Sequence, residues 1–417
     1  MNRSVLRNVS PHSWDNRMKW GTFVLCALIL TVSFVSRPPG IGYDGRQYLT
    51  YAENLLSTGM LTFDGVAPSC GRAPGYPAFL AGVVWLTGGI DWVYPIQMAL
   101  LLIALWIVSR SFAERLHPRA AMLLLVLLVS VWPLHRLAMA LMTEPLFMAL
   151  TSGGLFLLGW NLRTGNRTAL IAAGVVLGLS SYVRPVNLLA PLFLGVFLLW
   201  CRQLSWRRAA TLVVVSATVV LPWTARNYVT FDRLLPMASN FGSLYYMTDS
   251  EVFWPVLLRS GGYSHTLPVY EEIVGDEFEL GLEANDRYAA YARRNIARDP
   301  LGFLARCSFK TLFVWSYFPG SKGLLQTNRF LFGVGVIVQW IFLALAYLGL
   351  RLMRRHRWGV AHVIGGYAVY TIGALFPFYA ESRFLLPVYI WLVGAVWYWV
   401  VHRFFPAFAF QAGDAPQ

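Results

Sequence analysis

Residues 42–77 read GYDGRQYLTYAENLLSTGMLTFDGVAPSCGRAPGYP, a stretch that sets an acid, two arginines, aromatics and Gly/Pro punctuation between two apolar segments. From Arg46 to Ser57 the apolar Tyr48, Leu49, Ala52, Leu55 and Leu56 recur at helical spacing, while Arg46, Gln47, Thr50, Glu53, Asn54 and Ser57 take the other side. A short helix divided in this way lies on a membrane surface. It follows an apolar run over 20–36, so Asp44 falls at the water–lipid boundary beside Arg46. Asp is a preferred helix N-cap, and a capping carboxylate at that position is still an exposed one.

Working outward, the 417 residues are 57% hydrophobic and 13% charged, which excludes a soluble chain folded around one core. Several windows approach the ~20 apolar residues that cross a bilayer. The sequence therefore predicts an all-α, polytopic transmembrane helix bundle with in-plane helices in its first outer loop. The net charge of +14 comes almost entirely from arginine, because Lys occurs only at positions 19, 310 and 322. Part of that excess is topogenic, and part suits phosphate, which the arginine fork matches in shape. No pattern of aromatics among basic residues outside the spans points to nucleic acid. Cys26, Cys70, Cys201 and Cys307 have no metal-type spacing, and no disulfide is expected between Cys70 and Cys307. Arg3, Arg7, Arg17 and Lys19 precede the first apolar run, which reads as a retained signal anchor.

Loop charge sets the topology. Residues 37–90 form the first outer loop, and the short apolar run 73–87, opening with Pro74 and Pro77, stays on the outer side as an in-plane helix. Spans are then expected over 90–109, 120–134, 145–162, 168–183, 186–200 and 209–223. Under this choice three consecutive inner loops are basic, carrying Arg110, Arg115 and Arg119, then Arg163 and Arg167, then Arg202, Arg207 and Arg208. Residues 135–143 make a short outer turn. The acid-rich 225–328 region, with Glu271, Glu272, Asp276, Glu277 and Glu279, forms a large outer loop with helix near 283–298. Arg306 and Lys310 interrupt 301–317, which reads as an amphipathic helix. The last spans fall at 329–351, 358–378 and 384–402. Three parts follow: a catalytic membrane module over 1–224, the outer loop region 225–328, and C-terminal transmembrane helices over 329–417.

This topology gathers Asp44, Arg46, Arg72, Glu144, Arg184, Arg226 and Arg383 at one membrane face. A single arginine at a span end usually anchors the interface; a set that includes two carboxylates is better explained as a polar site. One acid can take a proton from a nucleophile while arginines stabilise a departing phosphate. No G-x-x-x-x-G-K-[ST] loop is present, which argues against an ATP-driven machine. No outer segment is long enough for a nucleotide-binding α/β domain, which favours a donor that is itself a lipid.

Six motifs carry a family resemblance: Tyr43-Asp44-Gly45-Arg46-Gln47-Tyr48, the run Arg72-Ala73-Pro74-Gly75-Tyr76-Pro77, Met142-Thr143-Glu144-Pro145, Tyr182-Val183-Arg184-Pro185, Pro222-Trp223-Thr224-Ala225-Arg226-Asn227 and Glu381-Ser382-Arg383-Phe384. In their order and spacing the chain resembles the integral-membrane glycosyltransferases of the GT-C fold that use polyprenyl-phosphate sugars, such as aminoarabinose transferases and protein O-mannosyltransferases. The resemblance implies that Asp44 is the general base and that Arg72 holds the donor phosphate, with Arg46 assisting and Arg383 closing from the C-terminal side. Glu144 stands where such enzymes place a second acid that orients the acceptor or, with Asp44, helps bind a divalent metal ion. Tyr43, Tyr48, Tyr76, Arg184 and Arg226 become candidate substrate-binding residues. Also implied are a lipid, glycan or protein acceptor, contact with membrane lipids, and a bacterial inner membrane with the site facing the periplasm or exterior. Tyr245, Tyr246, Trp254 and Tyr263 could stack on sugars, although a local core explains them better. A transporter or flippase of lipid-linked sugars is the alternative, but it calls for polar residues at mid-membrane and often for repeated halves, and neither is seen. An O-antigen ligase or polymerase type enzyme would lack the early Asp loop.

Overall fold

The computed structural model describes residues 40–239, 282–318, 327–378 and 381–409, with most positions between 21 and 35. Those early positions are helical, and Cys26 is packed into the main core. The outer-loop acids at 271–279 and the aromatic residues Tyr245, Tyr246, Trp254 and Tyr263 lie outside the described residues.

Among the described residues the chain is helical, with only isolated bridges such as Gly40 to Ala140 and Thr62 to Pro68. The helices are α1 (Tyr43–Thr58), α2 (Gly75–Thr87), α3 (Val93–Phe112), α4 (Pro118–Val129), α5 (Trp132–Ala138), α6 (Glu144–Thr164) and α7 (Arg167–Val183). They continue with α8 (Ala190–Trp200), α9 (Trp206–Phe231), α10 (Leu282–Arg298), α11 (Pro300–Trp315), α12 (Arg329–Arg355), α13 (Val360–Leu375) and α14 (Leu386–Phe404). Among the described residues five stretches are long and apolar enough to cross a bilayer: Ile90–Phe112, Glu144–Thr164, Trp206–Phe231, Arg329–Arg355 and Ser382–Phe404. Outward-facing Val214, Leu221, Ile337 and Ile341 give these helices the surface that hydrocarbon requires. The chain is an integral-membrane helix bundle.

Two expectations change in detail. The spans expected over 168–183, 186–200 and 358–378 correspond to the apolar helices Arg167–Val183, Pro185–Trp200 and Val360–Leu375, whose rise of roughly 24–26 Å is below the ~30 Å of a typical hydrocarbon core. The span expected over 120–134 breaks, because α4 ends at Val129 and α5 leaves at 61° to it. Pro133 sits in the first turn of α5, where its ring and missing N–H prevent α4 from running on. The outer turn expected at 135–143 is therefore partly helical.

Local sequence explains the tight joints. Between α6 and α7, Gly165 takes the left-handed conformation at φ +73° and Asn166 accepts a hydrogen bond from the Ala169 amide at 3.2 Å. Gly174 and Gly178, one turn apart on α7, let α9 approach so closely that a Cβ at either would stand 3.0 and 2.9 Å from Val215 and Val219. The main core joins α3, α4, α6, α7, α8, α13 and α14 through residues such as Leu105, Leu124, Leu158, Leu177, Leu194, Ile364 and Trp391. A second cluster of Ala52, Tyr76, Leu80, Tyr94, Leu141, Phe147 and Val183 fastens α1 and α2 to the starts of α3 and α6 and the end of α7. That second cluster fixes the platform on which the charged residues sit.

Candidate functional site

The face of α1 that meets the rest of the protein is set by helical spacing. Asp44, Gln47, Tyr48 and Tyr51 stand at i, i+3, i+4 and i+7, and all four engage the 69–72 loop. Arg72 donates from Nη2 to Asp44 Oδ1 at 2.9 Å and from Nε to Gln47 Oε1 at 3.2 Å. Its guanidinium lies 5.1 Å from the Tyr48 ring centroid, and Tyr51 bonds the Ser69 hydroxyl at 2.8 Å. The loop itself is pinned. Asn54 donates to the Thr62 and Phe63 carbonyls at 3.1 and 3.0 Å. Asp64 accepts from the Val66 and Ala67 amides and the Thr62 hydroxyl, which draws its carboxyl down to about 2. Farther along, Arg226 donates to the Ser69 carbonyl at 3.4 Å and the Ser239 amide donates to the Cys70 carbonyl at 2.8 Å. Arg72 thus leaves a fixed loop toward a fixed helix face.

The second carboxylate opens α6. Glu144 is 1% exposed, and a buried charge of this kind persists only when paired and hydrogen-bonded. Arg184, at the end of α7, donates to Glu144 Oε1 at 2.9 Å and to the Thr143 hydroxyl at 2.8 Å. Arg383 joins the two acids: its Nη2 is 3.3 Å from Asp44 Oδ2 and its Nε is 3.8 Å from Glu144 Oε1. Glu381 takes the same Nε at 2.6 Å. Phe384 lies between the two cations, its ring centroid 4.7 Å from Arg184 and 5.4 Å from Arg383. Three carboxylates, Asp44, Glu144 and Glu381, therefore face three guanidinium groups, Arg72, Arg184 and Arg383. The network is neutral as a unit.

Burial alone would raise the Asp44 carboxyl, but Arg72 and Arg383 outweigh it and hold it below its ordinary value. Asp44 is accordingly an ionised, acceptor-only group at neutral pH. Among the described residues no three His, Cys, Asp or Glu side chains stand together as a metal site. Asp44 and Glu144 supply two oxygen donors that a divalent ion could use, yet both are already neutralised by guanidinium groups, and a metal there would have to displace them.

The structure brings together Asp44, Arg72, Glu144, Arg184 and Arg383. Arg46 is exposed, and the ion pairs of Asp44 run to Arg72 and Arg383 instead. Asp44 does not cap α1: Gly42 is the N-cap and no side chain bonds the first turn. Tyr76 is fully buried with its hydroxyl on Gln97 at 2.7 Å, so it supports the platform from below. Tyr48 is the aromatic residue against Arg72, Arg226 braces the loop between the Trp223 and Phe231 rings, and the Tyr43 side chain is outside the described residues. Gln47, Thr143 and Phe384 belong to the network as well. Gln47 was readable from its i+3 position relative to Asp44, and Phe384 from its place beside Arg383 in the motif Glu381-Ser382-Arg383-Phe384.

No family model and no curated protein sequence matches this chain. Among solved structures, the crystal structure of the Archaeoglobus fulgidus oligosaccharyltransferase in complex with Zn and sulfate aligns at TM-score 0.52 and 14% identity, covering 92% of this chain and 49% of that one. The bundle has the GT-C fold. The chain spans about half the length of that oligosaccharyltransferase. ArnT from Cupriavidus metallidurans, crystallised bound to undecaprenyl phosphate, aligns over 90% of this chain and 76% of its own at 14% identity, with a TM-score of 0.44.

Proposed function

We propose that this GT-C bundle is a glycosyltransferase that moves a sugar from a polyprenyl-phosphate donor to a lipid, glycan or protein acceptor. The observation that carries the reading is the Asp44 carboxylate bridged by Arg72 and Arg383 at the edge of the apolar bundle. The donor's isoprenoid chain lies along apolar helix surface while its phosphate meets the two arginines, where charge-assisted hydrogen bonds are strong. An acceptor hydroxyl oxygen bonds to the anomeric carbon as the bond from that carbon to the phosphate oxygen breaks. The electron pair stays on the phosphate, which Arg72 and Arg383 stabilise, and the hydroxyl proton passes to Asp44. The same cations that keep Asp44 ionised at rest weaken it as a base. A phosphate that draws them onto its own oxygens restores that basicity when the donor is in place. Glu144 and Arg184 hold Arg383 in register.

The site is assigned to the outer face of a bacterial inner membrane, following the basic loops on the opposite side. An accessibility tag at Arg115 is expected to report the cytoplasm; labelling from outside would scatter the assignment. The activity is tested by mass spectrometry of membrane lipids and surface glycans from cells with and without the protein, and by transfer from polyprenyl-phosphate sugars with the purified chain. Identical glycan profiles in both strains, with no transfer in vitro, would overturn the proposal.

A further inference from the structure

Lys310, on α11, is 2% exposed, a rare place for an ammonium group. No carboxylate pairs with it among the described residues. Instead Nζ donates to the Leu375 carbonyl at 3.0 Å, to Phe376 at 2.6 Å, and to Phe378 as well. These acceptors lie at the end of α13, where the last carbonyls have no helical N–H to meet and carry the negative end of the helix dipole. An ammonium has three donors and no acceptor, so all three are used here. Few other side chains could serve three converging carbonyls in a buried place.

The same helix grips the chain again a few residues farther on. Tyr317, just past the end of α11, is buried beside Ser382. Val314 and Trp315 pack with Phe384, Leu385 and Tyr389 in one small cluster, the Trp315 and Tyr389 rings stacked at 5.7 Å. The second grip falls on the turn Ser382–Leu385, which presents Arg383 to Asp44 and Glu144 and sets Phe384 against both arginines. No contact joins Lys310 itself to either carboxylate, so any influence on the site passes through this turn.

We propose that Lys310 is a positioning residue for the transfer reaction: by clasping the carbonyls at the end of α13 it sets where the following turn holds Arg383 against Asp44 and the donor phosphate. The proposal rests on the transferase reading above. Misplacing a guanidinium by about 1 Å can cost a hundredfold in rate without unfolding anything. The effect is expected chiefly on donor use, because Arg383 is assigned to the donor phosphate.

The test compares Lys310→Met, which keeps the unbranched apolar stem but has no donor, with Lys310→Gln, which keeps two N–H donors and no charge. Both are purified with wild type in detergent, and melting, steady-state constants for donor and acceptor, and amide exchange over 376–386 are measured. The expected result is a folded Lys310→Met whose kcat/KM for a polyprenyl-phosphate sugar falls about tenfold to a hundredfold, with the acceptor KM within about twofold. Exchange over 376–386 speeds up while α6 is unchanged, and Lys310→Gln falls between. A folded Lys310→Met with donor constants near wild type overturns the proposal, as does an equal change in both KM values. If the Met variant fails to fold, the Gln variant decides by the same criteria; if neither folds, Lys310 is a bond of the fold alone and the proposal falls. Wild type that transfers nothing strikes at the transferase reading instead, and the exchange comparison still reads the clasp separately.

Discussion

Replacing Asp44 by Asn removes one negative charge and almost no volume. The new carbonyl still accepts from one guanidinium, but the amide NH2 is turned toward the other. The two ion pairs lost are 2.9 and 3.3 Å long, with Asp44 28% exposed and Arg72 and Arg383 17% and 25% exposed. They lie between exposed pairs, worth about 0–1 kcal/mol, and broken buried pairs, which cost about 3–5 kcal/mol. A destabilisation of roughly 1–3 kcal/mol follows, which a protein with a stability of about 5–15 kcal/mol survives folded. Loss of a general base costs about 10²–10⁴ in rate, or roughly 2.7–5.5 kcal/mol of transition-state stabilisation. The chemistry should therefore collapse while the melt shifts modestly. The assay follows sugar transfer from a polyprenyl-phosphate donor by mass spectrometry, alongside a detergent melt of the same sample. A folded Asp44→Asn that keeps more than about a third of wild-type kcat/KM refutes the assignment of Asp44 to proton transfer.

Glu144→Gln divides the other way. Because Glu144 is 1% exposed and paired with Arg184, losing its charge should cost about 3 kcal/mol or more of stability, seen as a clearly lower melting temperature than that of Asp44→Asn. Arg72→Ala should raise the donor KM more than the acceptor KM, and an equal rise in both would remove it from the phosphate. The pH dependence follows from the lowered Asp44 carboxyl. Its ion pairs contribute stability above the unfolded value of about 3.9, and that contribution disappears as pH falls through the lower folded value. The acid limb of kcat/KM, which reports free enzyme, should lie below the ordinary carboxylate range. The limb of kcat, which reports the donor-bound state, should lie higher than that of kcat/KM. Coincident limbs would mean that bound phosphate leaves Arg72 and Arg383 where they are.

Much of this site was legible because charges are conspicuous in a greasy chain. Once loop charge gave the topology, the span ends carrying Asp44, Arg72, Glu144, Arg184 and Arg383 had to share one face, and in the structure they are joined by ion pairs. Arg46 stays out of the Asp44 ion pairs because proximity in sequence is not proximity on a helix. Two residues from Asp44 it points about 200° around the axis, whereas Gln47 and Tyr48 point the same way as the acid. The capping reading of Asp44 failed because α1 starts earlier, at Tyr43 with Gly42 before it, so the carboxylate was left for Arg72. The break after α4 was signalled by Pro133 inside an apolar run, but hydropathy alone reads through a proline. Lys310 appeared only as an interruption in an apolar segment, since its partners are backbone carbonyls 65 or more positions away, which no side-chain pattern announces.

A network in which every cation already has its anion exerts little pull on a distant headgroup. Long-range electrostatic steering needs an uncompensated field, and that field would fade with added salt. If the donor is a polyprenyl phosphate as proposed, recruitment falls to its hydrocarbon tail, which concentrates the headgroup at the bilayer surface and lets it reach the guanidinium groups by lateral diffusion. Affinity for the lipid should accordingly track chain length far more than ionic strength. Short-chain analogues should fail for want of anchorage even when their phosphate chemistry is complete.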